Sequence, residues 1–263
     1  MDPIQAIILG FIQGLTEWLP ISSTGHLRIA ENLLGLAVPL LFDVALHVGT
    51  LAVILIFFRR DIKKILAAVA KRDFKTENGK LVPLIIVGTV PTALIGVFFG
   101  DFLDTYFTSF FSLGAMFVAG GFALYFSKFG NERKENITYI DALLIGTTQG
   151  LAIIPSLSRS GLTITAALLL GIKREKAYKF SFLLSVPAIV GALFWTLYEQ
   201  QNALVLAGIG LTEILVGVAA AVAVSFLALK FLWKTLAKKK FHLFALYCLF
   251  LGLALLVLSL SGF

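Results

Sequence analysis

The chain has 263 residues, 59% of them hydrophobic and only 14% charged, and its mean hydropathy is +0.94. No water-soluble core of this size could hide so much apolar surface, so a soluble domain is excluded and an all-α integral membrane protein is expected. The net charge of +7 says less than where the charges lie, and no nucleic-acid partner is expected.

Residues 3–35 are apolar but interrupted at Pro20. The start, Met1-Asp2-Pro3, has no basic region and Glu17 breaks the apolar run, so no cleaved signal peptide is expected. Residues 40–58 form a clean span ending at Arg59-Arg60. Residues 59–80 are basic and partly amphipathic, a surface helix beside anionic headgroups. Residues 81–99 form a second span, with Pro91 inside it, and Asp101 and Asp104 mark a short acidic loop. A third span covers 109–127 and a polar, mostly basic stretch follows from Lys128 to Asn136. Residues 138–172 are again apolar and broken, at Pro155. Three more spans are expected at about 179–198, 208–230 and 242–260. Each span reaches roughly 28–33 Å, about one bilayer core. The lone cysteine, Cys248, sits in the last of them, so no intrachain disulfide can form.

Lys and Arg cluster at 59–80, 128–134, 173–179 and 230–240. Two spans separate the first cluster from the second, and two separate the third from the fourth. All four share the cytoplasmic side only if 138–172 enters the membrane and returns. The same reading makes 3–35 a hairpin, and three spans separate the two hairpins, so they enter from opposite sides. The expected architecture is six transmembrane helices plus two re-entrant helical hairpins in one polytopic domain, an inverted-topology repeat. Repeat 1 covers about 3–100, repeat 2 about 138–230, and the spans at 109–127 and 242–260 stand outside. Such folds place their site near the midplane, where broken helices meet.

Both hairpins carry polar groups that are expensive in an apolar run and therefore candidates for function. The first reads Gln13-Gly-Leu-Thr-Glu17-Trp-Leu-Pro20-Ile-Ser22-Ser23-Thr24-Gly25-His26. The second echoes it as Gln149-Gly-Leu-Ala-Ile-Ile-Pro155-Ser156-Leu-Ser158-Arg159-Ser160-Gly161. One copy carries Glu and His, the other Arg, as if one site were assembled from two halves. Gln13 and Glu17 share a helix face and suit a hard divalent cation, Mg²⁺ or Ca²⁺. The serines after each Pro read as N-caps, which would aim two helix N-termini at an anion. Arg159 adds a planar fork for phosphate oxygens; the alternative is an internal Arg159–Glu17 pair. An arginine at the bilayer centre costs about 2.5–3.5 kcal/mol, so something anionic must face it. His26 is spaced to face Ser22 or Ser23, a base beside a nucleophile. Asp43 and His47, four apart at the start of the first span, could support the site from behind, but the packing reading is favoured; His242 reads as interfacial.

These two stretches resemble the signatures of the undecaprenyl-diphosphate phosphatases, the bacitracin-resistance family, and the similarity runs over essentially the whole chain. The resemblance implies hydrolysis of undecaprenyl diphosphate to the monophosphate, which recycles the lipid carrier of cell-wall synthesis. It also implies a divalent cation and a plasma-membrane site open to the outer face. Its catalytic residues would be Glu17, Ser23, His26 and Arg159, with Gln13 and Glu17 on the metal. Ser22, Thr24, Ser158, Ser160 and Gly161 would bind substrate. Two positions depart from the pattern: Gln13 stands where several members have Glu, and Ser156 where Gly is usual. Expected partners are a polyprenyl diphosphate and membrane lipids, with a homodimer left open. The nucleophile is Ser23, His26 or water, and the rival function is a polyprenyl-phosphate flippase using the same site.

Overall fold

The computed structural model describes residues 1–199 and 208–261, without the side chains of residues 101, 104 and 105. Among the described residues the protein is built of α-helices, short 3-10 turns and one isolated bridge between Lys134 and Ile172. The helices are α1 (Pro3–Thr16), α2 (Ser23–Leu34), α3 (Leu40–Phe57), α4 (Arg59–Ala70), α5 (Leu81–Tyr106) and α6 (Phe110–Phe126). There follow α7 (Tyr139–Leu151), α8 (Arg159–Leu169), α9 (Arg174–Glu199), α10 (Leu211–Ala237) and α11 (Phe244–Leu260). Six of them, α3, α5, α6, α9, α10 and α11, are long and apolar enough to cross a membrane.

Several boundaries differ from the hydropathy reading, each for a local reason. The expected acidic loop at Asp101 and Asp104 is the last stretch of α5, which runs on to Tyr106. Phe99, Phe102, Leu103 and Tyr106 recur at helical spacing there, so the apolar stripe continues past the two acids. Helix α9 starts at Arg174 and α10 ends at Ala237, because charged side chains sit on helical turns that project beyond the apolar window. Lys230, for instance, lies over the Phe226 ring at 4.4 Å. The basic segment 59–80 is helical only to Ala70; Arg72 turns the chain out with φ 51°.

Each short helix pair begins with a capping box. Asp2 Oδ1 accepts from the Gln5 amide at 2.8 Å, and Gln5 Oε1 accepts in return from the Asp2 amide. Thr138 and Asp141 repeat the device ahead of α7. At both breaks the proline is followed by a serine in the left-handed region, Ser22 at φ 68° and Ser156 at φ 70°. The new helix then starts on a serine cap: Ser22 Oγ accepts from the Gly25 amide, and Ser158 Oγ from the Gly161 amide. Ser156 takes this turn at a cost, because its Oγ is buried with no hydrogen-bond partner and its backbone conformation suits glycine better. Ser156→Gly should therefore stabilise the protein by about 1–2 kcal/mol, read as a higher melting temperature in detergent. An unchanged or lower Tm would refute this.

The helix pairs are seated by exchange: α1 lies along α10 and α7 along α5. Both contacts are close enough to require glycine. A Cβ on Gly10 would stand 2.1 Å from the Gly217 carbonyl oxygen, and one on Gly146 1.9 Å from that of Gly88. Gly10 lies three residues before Gln13, and Gly146 three before Gln149, so the sequence echo is also an echo in packing. Helices α3 and α9 pack together between the two exchanged pairs, and α6 packs on α11. Below the breaks, Trp18 meets Phe182 at 5.4 Å, and Phe182 stacks on Phe58 and meets Tyr178 edge-on.

All four basic clusters gather at one end of the bundle. Lys179 reaches Asp61 at 2.5 Å and Lys176 reaches Glu77 at 3.2 Å. Arg174 pairs with Glu132, and Lys239 lies 3.8 Å from the same carboxylate. The bridge from Lys134 to Ile172 places the start of α7 and the end of α8 at this end. Met1 and Leu36, at the open end of the first pair, pack with Ile209 at the start of α10, away from the basic end. The two broken pairs thus open in opposite directions and meet at their tips.

Candidate active site

Glu17 lies at the meeting point. It caps the C-terminus of α1 and is 7% exposed. Four side chains engage its carboxylate. Oε1 accepts from Arg159 Nη2 at 2.5 Å across the two tips. Oε2 accepts from Gln13 Nε2 at 3.0 Å and from Ser23 Oγ at 2.6 Å, and His47 Nε2 stands 3.3 Å away. The opposite charges of the two copies are therefore in direct contact, as the internal-pair alternative has it. The pair does not exhaust the guanidinium, because Arg159 Nη1 is buried with no acceptor. A buried cation with an unused donor is a standing attraction for an anion. The guanidinium also lies 5.3 Å over the Trp18 ring, which fixes its plane.

Ser23 and His26 are not hydrogen-bonded to each other. Ser23 is aimed back across the break at Glu17, so the group placed to take its proton is a carboxylate. His26 Nδ1 lies 2.6 Å from the Ser22 carbonyl, which only accepts, so Nδ1 carries the proton. Its Nε2 is then the acceptor for the Tyr247 hydroxyl at 2.7 Å. The ring stacks on Tyr247 and meets Phe117 edge-on.

The serines expected to bind substrate are largely committed within the tips. Ser22 and Ser158 are helix caps. Ser160 is 1% exposed, and its Oγ donates to the Leu19 carbonyl, pinning one tip to the other. Thr24 is partly exposed on the first turn of α2. The Gly161 amide is taken by Ser158. The second-copy glutamine does not mirror Gln13 chemically: Gln149 Nε2 donates to Thr92 Oγ1 and to the Leu184 carbonyl, tying α7 to α5 and α9.

A hard cation needs oxygen ligands. Gln13 Oε1 is buried and unpartnered beside the Glu17 carboxylate, so the pair offers one free oxygen and one carboxylate. Among the described residues no three acidic, histidine or cysteine side chains are grouped as a metal cage would need. This donor set fits an ion that completes its shell with substrate oxygens, as Mg²⁺ commonly does.

A family profile described as Bacitracin resistance protein BacA matches residues 6–254. The chain belongs to that family. Its relatives extend over the same length. An undecaprenyl-diphosphatase of Carboxydothermus hydrogenoformans is 46% identical, covering 100% of this chain and 99% of its own. One from Halothermothrix orenii is 42% identical, covering 98% and 99%. One from Methanosphaera stadtmanae is 35% identical, again over 98% and 99%.

Two residues of this bacitracin-resistance family member were missed or undervalued in the sequence. Tyr247 carried no signal, being one aromatic among many in the last span. His47 did: a polar pair four apart in an apolar helix, Asp43 and His47, is costly unless it has partners. Both ring nitrogens of His47 face oxygens, Nδ1 the Asp43 carbonyl at 2.8 Å and Nε2 the Glu17 carboxylate. Asp43 itself is buried behind it, against Glu31. His47→Leu, which removes a donor to Glu17, should lower activity by about tenfold. His47→Gln can keep that donor and should recover most of the loss. Equal activity of His47→Leu and the parent would refute a positioning role.

Proposed function

We propose that this protein is an undecaprenyl-diphosphatase, removing the terminal phosphate of the polyprenyl diphosphate and leaving the monophosphate. The observation that carries the reading is the Glu17–Arg159 contact between the two tips, in a chain matched along its length by relatives of that name. An apposed carboxylate and guanidinium, with a serine hydroxyl on the carboxylate, are the parts that phosphoryl transfer requires.

In this proposal the diphosphate displaces Glu17 from Arg159. Arg159 then holds oxygens of the terminal phosphate with Nη1 and Nη2, and the amides at the starts of α2 and α8 add partial positive charge. Ser23 attacks the terminal phosphorus, its proton passes to Glu17, and the bond to the bridging oxygen breaks so that the lipid monophosphate leaves. A water then attacks the phosphoserine and gives up its proton, the bond from phosphorus to Ser23 Oγ breaks, Ser23 recovers its proton from Glu17, and phosphate departs. His26, released from Tyr247, has a free Nε2 to take that second proton. A divalent cation would be held by Gln13 Oε1 and Glu17; when bound it neutralises charge on the diphosphate.

The two broken pairs are read as re-entrant hairpins entering from opposite leaflets of the plasma membrane, in a single polytopic domain. Repeat 1 covers about 3–100 and repeat 2 about 138–230, with α6 and α11 outside the repeat. The gathering of basic clusters at one end supports assigning that end to the cytoplasm and the opening of the site to the outer face. The proposed machinery comes from one chain and needs no second copy.

The test is phosphate release from undecaprenyl diphosphate by the purified protein in detergent, with no membrane gradient. We expect turnover that a chelator suppresses and added Mg²⁺ or Ca²⁺ restores. A carrier of polyprenyl phosphate would release none. Turnover that survives exhaustive chelation would remove the cation from the scheme while leaving the phosphatase reading intact.

A further inference from the structure

The basic end of the bundle holds a cavity of about 240 Å³ that the hydrolysis does not use. It lies between the end of α6, the loop that follows, the start of α9 and the 3-10 turn ahead of α11. Lys128, Arg174 and Lys239 line it against one carboxylate, Glu132, together with Ser127 and His242. Leu168 also lines it, nine residues along α8 from Arg159. At 1.5 Å per residue that is about 14 Å from the candidate active site.

Three observations say that this cavity is built for an anion. Ser127 is 2% exposed, yet its Oγ has no hydrogen-bond partner. The Arg174 Nε is buried without an acceptor as well. Glu132 occupies the place where an anion would sit. Its carboxylate pairs with Arg174, takes the Arg174 amide at the start of α9 at 3.3 Å and lies 3.8 Å from Lys239 Nζ. Its backbone is at φ 50°, a left-handed conformation costly for a residue with a Cβ. A guanidinium, a lysine and a helix-start amide converging on one group form a phosphate-binding arrangement. A single carboxylate leaves part of it unused.

We propose that this cavity binds a phosphate group, from an anionic lipid headgroup or from free phosphate, and that Glu132 is its internal competitor. Phosphate would take the Arg174 donors and the Ser127 hydroxyl, while Lys128 and Lys239 close over it from the rim. Displaced Glu132 would return to ordinary backbone geometry.

Lysine acylation read by mass spectrometry tests this locally, without interference from phosphate bound at Arg159. In one arm the full-length protein in detergent receives inorganic phosphate or chloride at equal ionic strength. In the other it is placed in nanodiscs of phosphatidylglycerol or phosphatidylcholine. We expect Lys128 and Lys239 to be protected by phosphate, by phosphatidylglycerol or by both, and the protecting arm names the source. Glu132→Gln should shift protection to about tenfold lower phosphate or phosphatidylglycerol, and Arg174→Gln should abolish it. Glu132→Gln should keep its undecaprenyl-diphosphate hydrolysis, which reports that it is folded, and should gain more in Tm from phosphate than the parent does. Equal acylation under all four conditions overturns the proposal, as does protection in Glu132→Gln no stronger than in the parent.

Discussion

Glu17→Gln is expected to reduce turnover of undecaprenyl diphosphate by about a thousandfold or more. The carboxylate serves both partners of the reaction: it is the acceptor poised for the Ser23 proton, and it holds Arg159 in place between turnovers. An amide takes no proton from serine and cannot balance a guanidinium. Removing one member of a buried pair typically costs about 3–5 kcal/mol, so the variant should also melt at a lower temperature. The double variant Glu17→Gln/Arg159→Gln separates the two effects. With neither charge left alone it should be at least as stable as Glu17→Gln, yet remain inactive. Recovery of activity in the double variant would mean that the pair is structural only.

Arg159→Lys should cost at least about a hundredfold, the loss falling on kcat/KM. Lysine keeps the charge but loses the fork: once Glu17 is displaced, it cannot offer two coplanar donors to the terminal phosphate. Nor would its ammonium lie flat over Trp18, as the guanidinium does at 5.3 Å. Steady-state kinetics on purified protein, with gel-filtration and Tm controls, decide the point. Near-parental kcat/KM would show that charge alone suffices and that the unpartnered Nη1 has no role.

Much of this was legible in the sequence, because the cost of polarity in an apolar run is large and local. Pro20 and Pro155, each followed by serines, marked the two helix breaks and their caps. The like-signed loops predicted that the segment 138–172 begins and ends at one end of the molecule, where Lys134 and Ile172 meet. Opposite charges in repeated stretches predicted that Glu17 and Arg159 belong together. Side-chain commitments were less legible. Helical spacing put His26 beside Ser22 and Ser23, but the break bends the chain, so that Ser23 faces a residue six positions back while His26 turns to α11. At position 47 packing was favoured over support of the site because a sequence does not say which helix faces which. The acidic loop failed because two Asp residues weigh heavily in a hydropathy sum and little in a helix whose other face stays aromatic.

The exchange of partners between the halves has a consequence for biosynthesis. Every motif residue of the first helix pair emerges from the ribosome early, but the groove that receives α1, lined by Gly217 and Ala221, is among the last to be made. Glu17 must therefore wait, unseated, while most of the polypeptide is threaded into the bilayer. A nascent chain stopped short of residue 211 would carry the complete set of reactive groups but lack the groove in which α1 is seated.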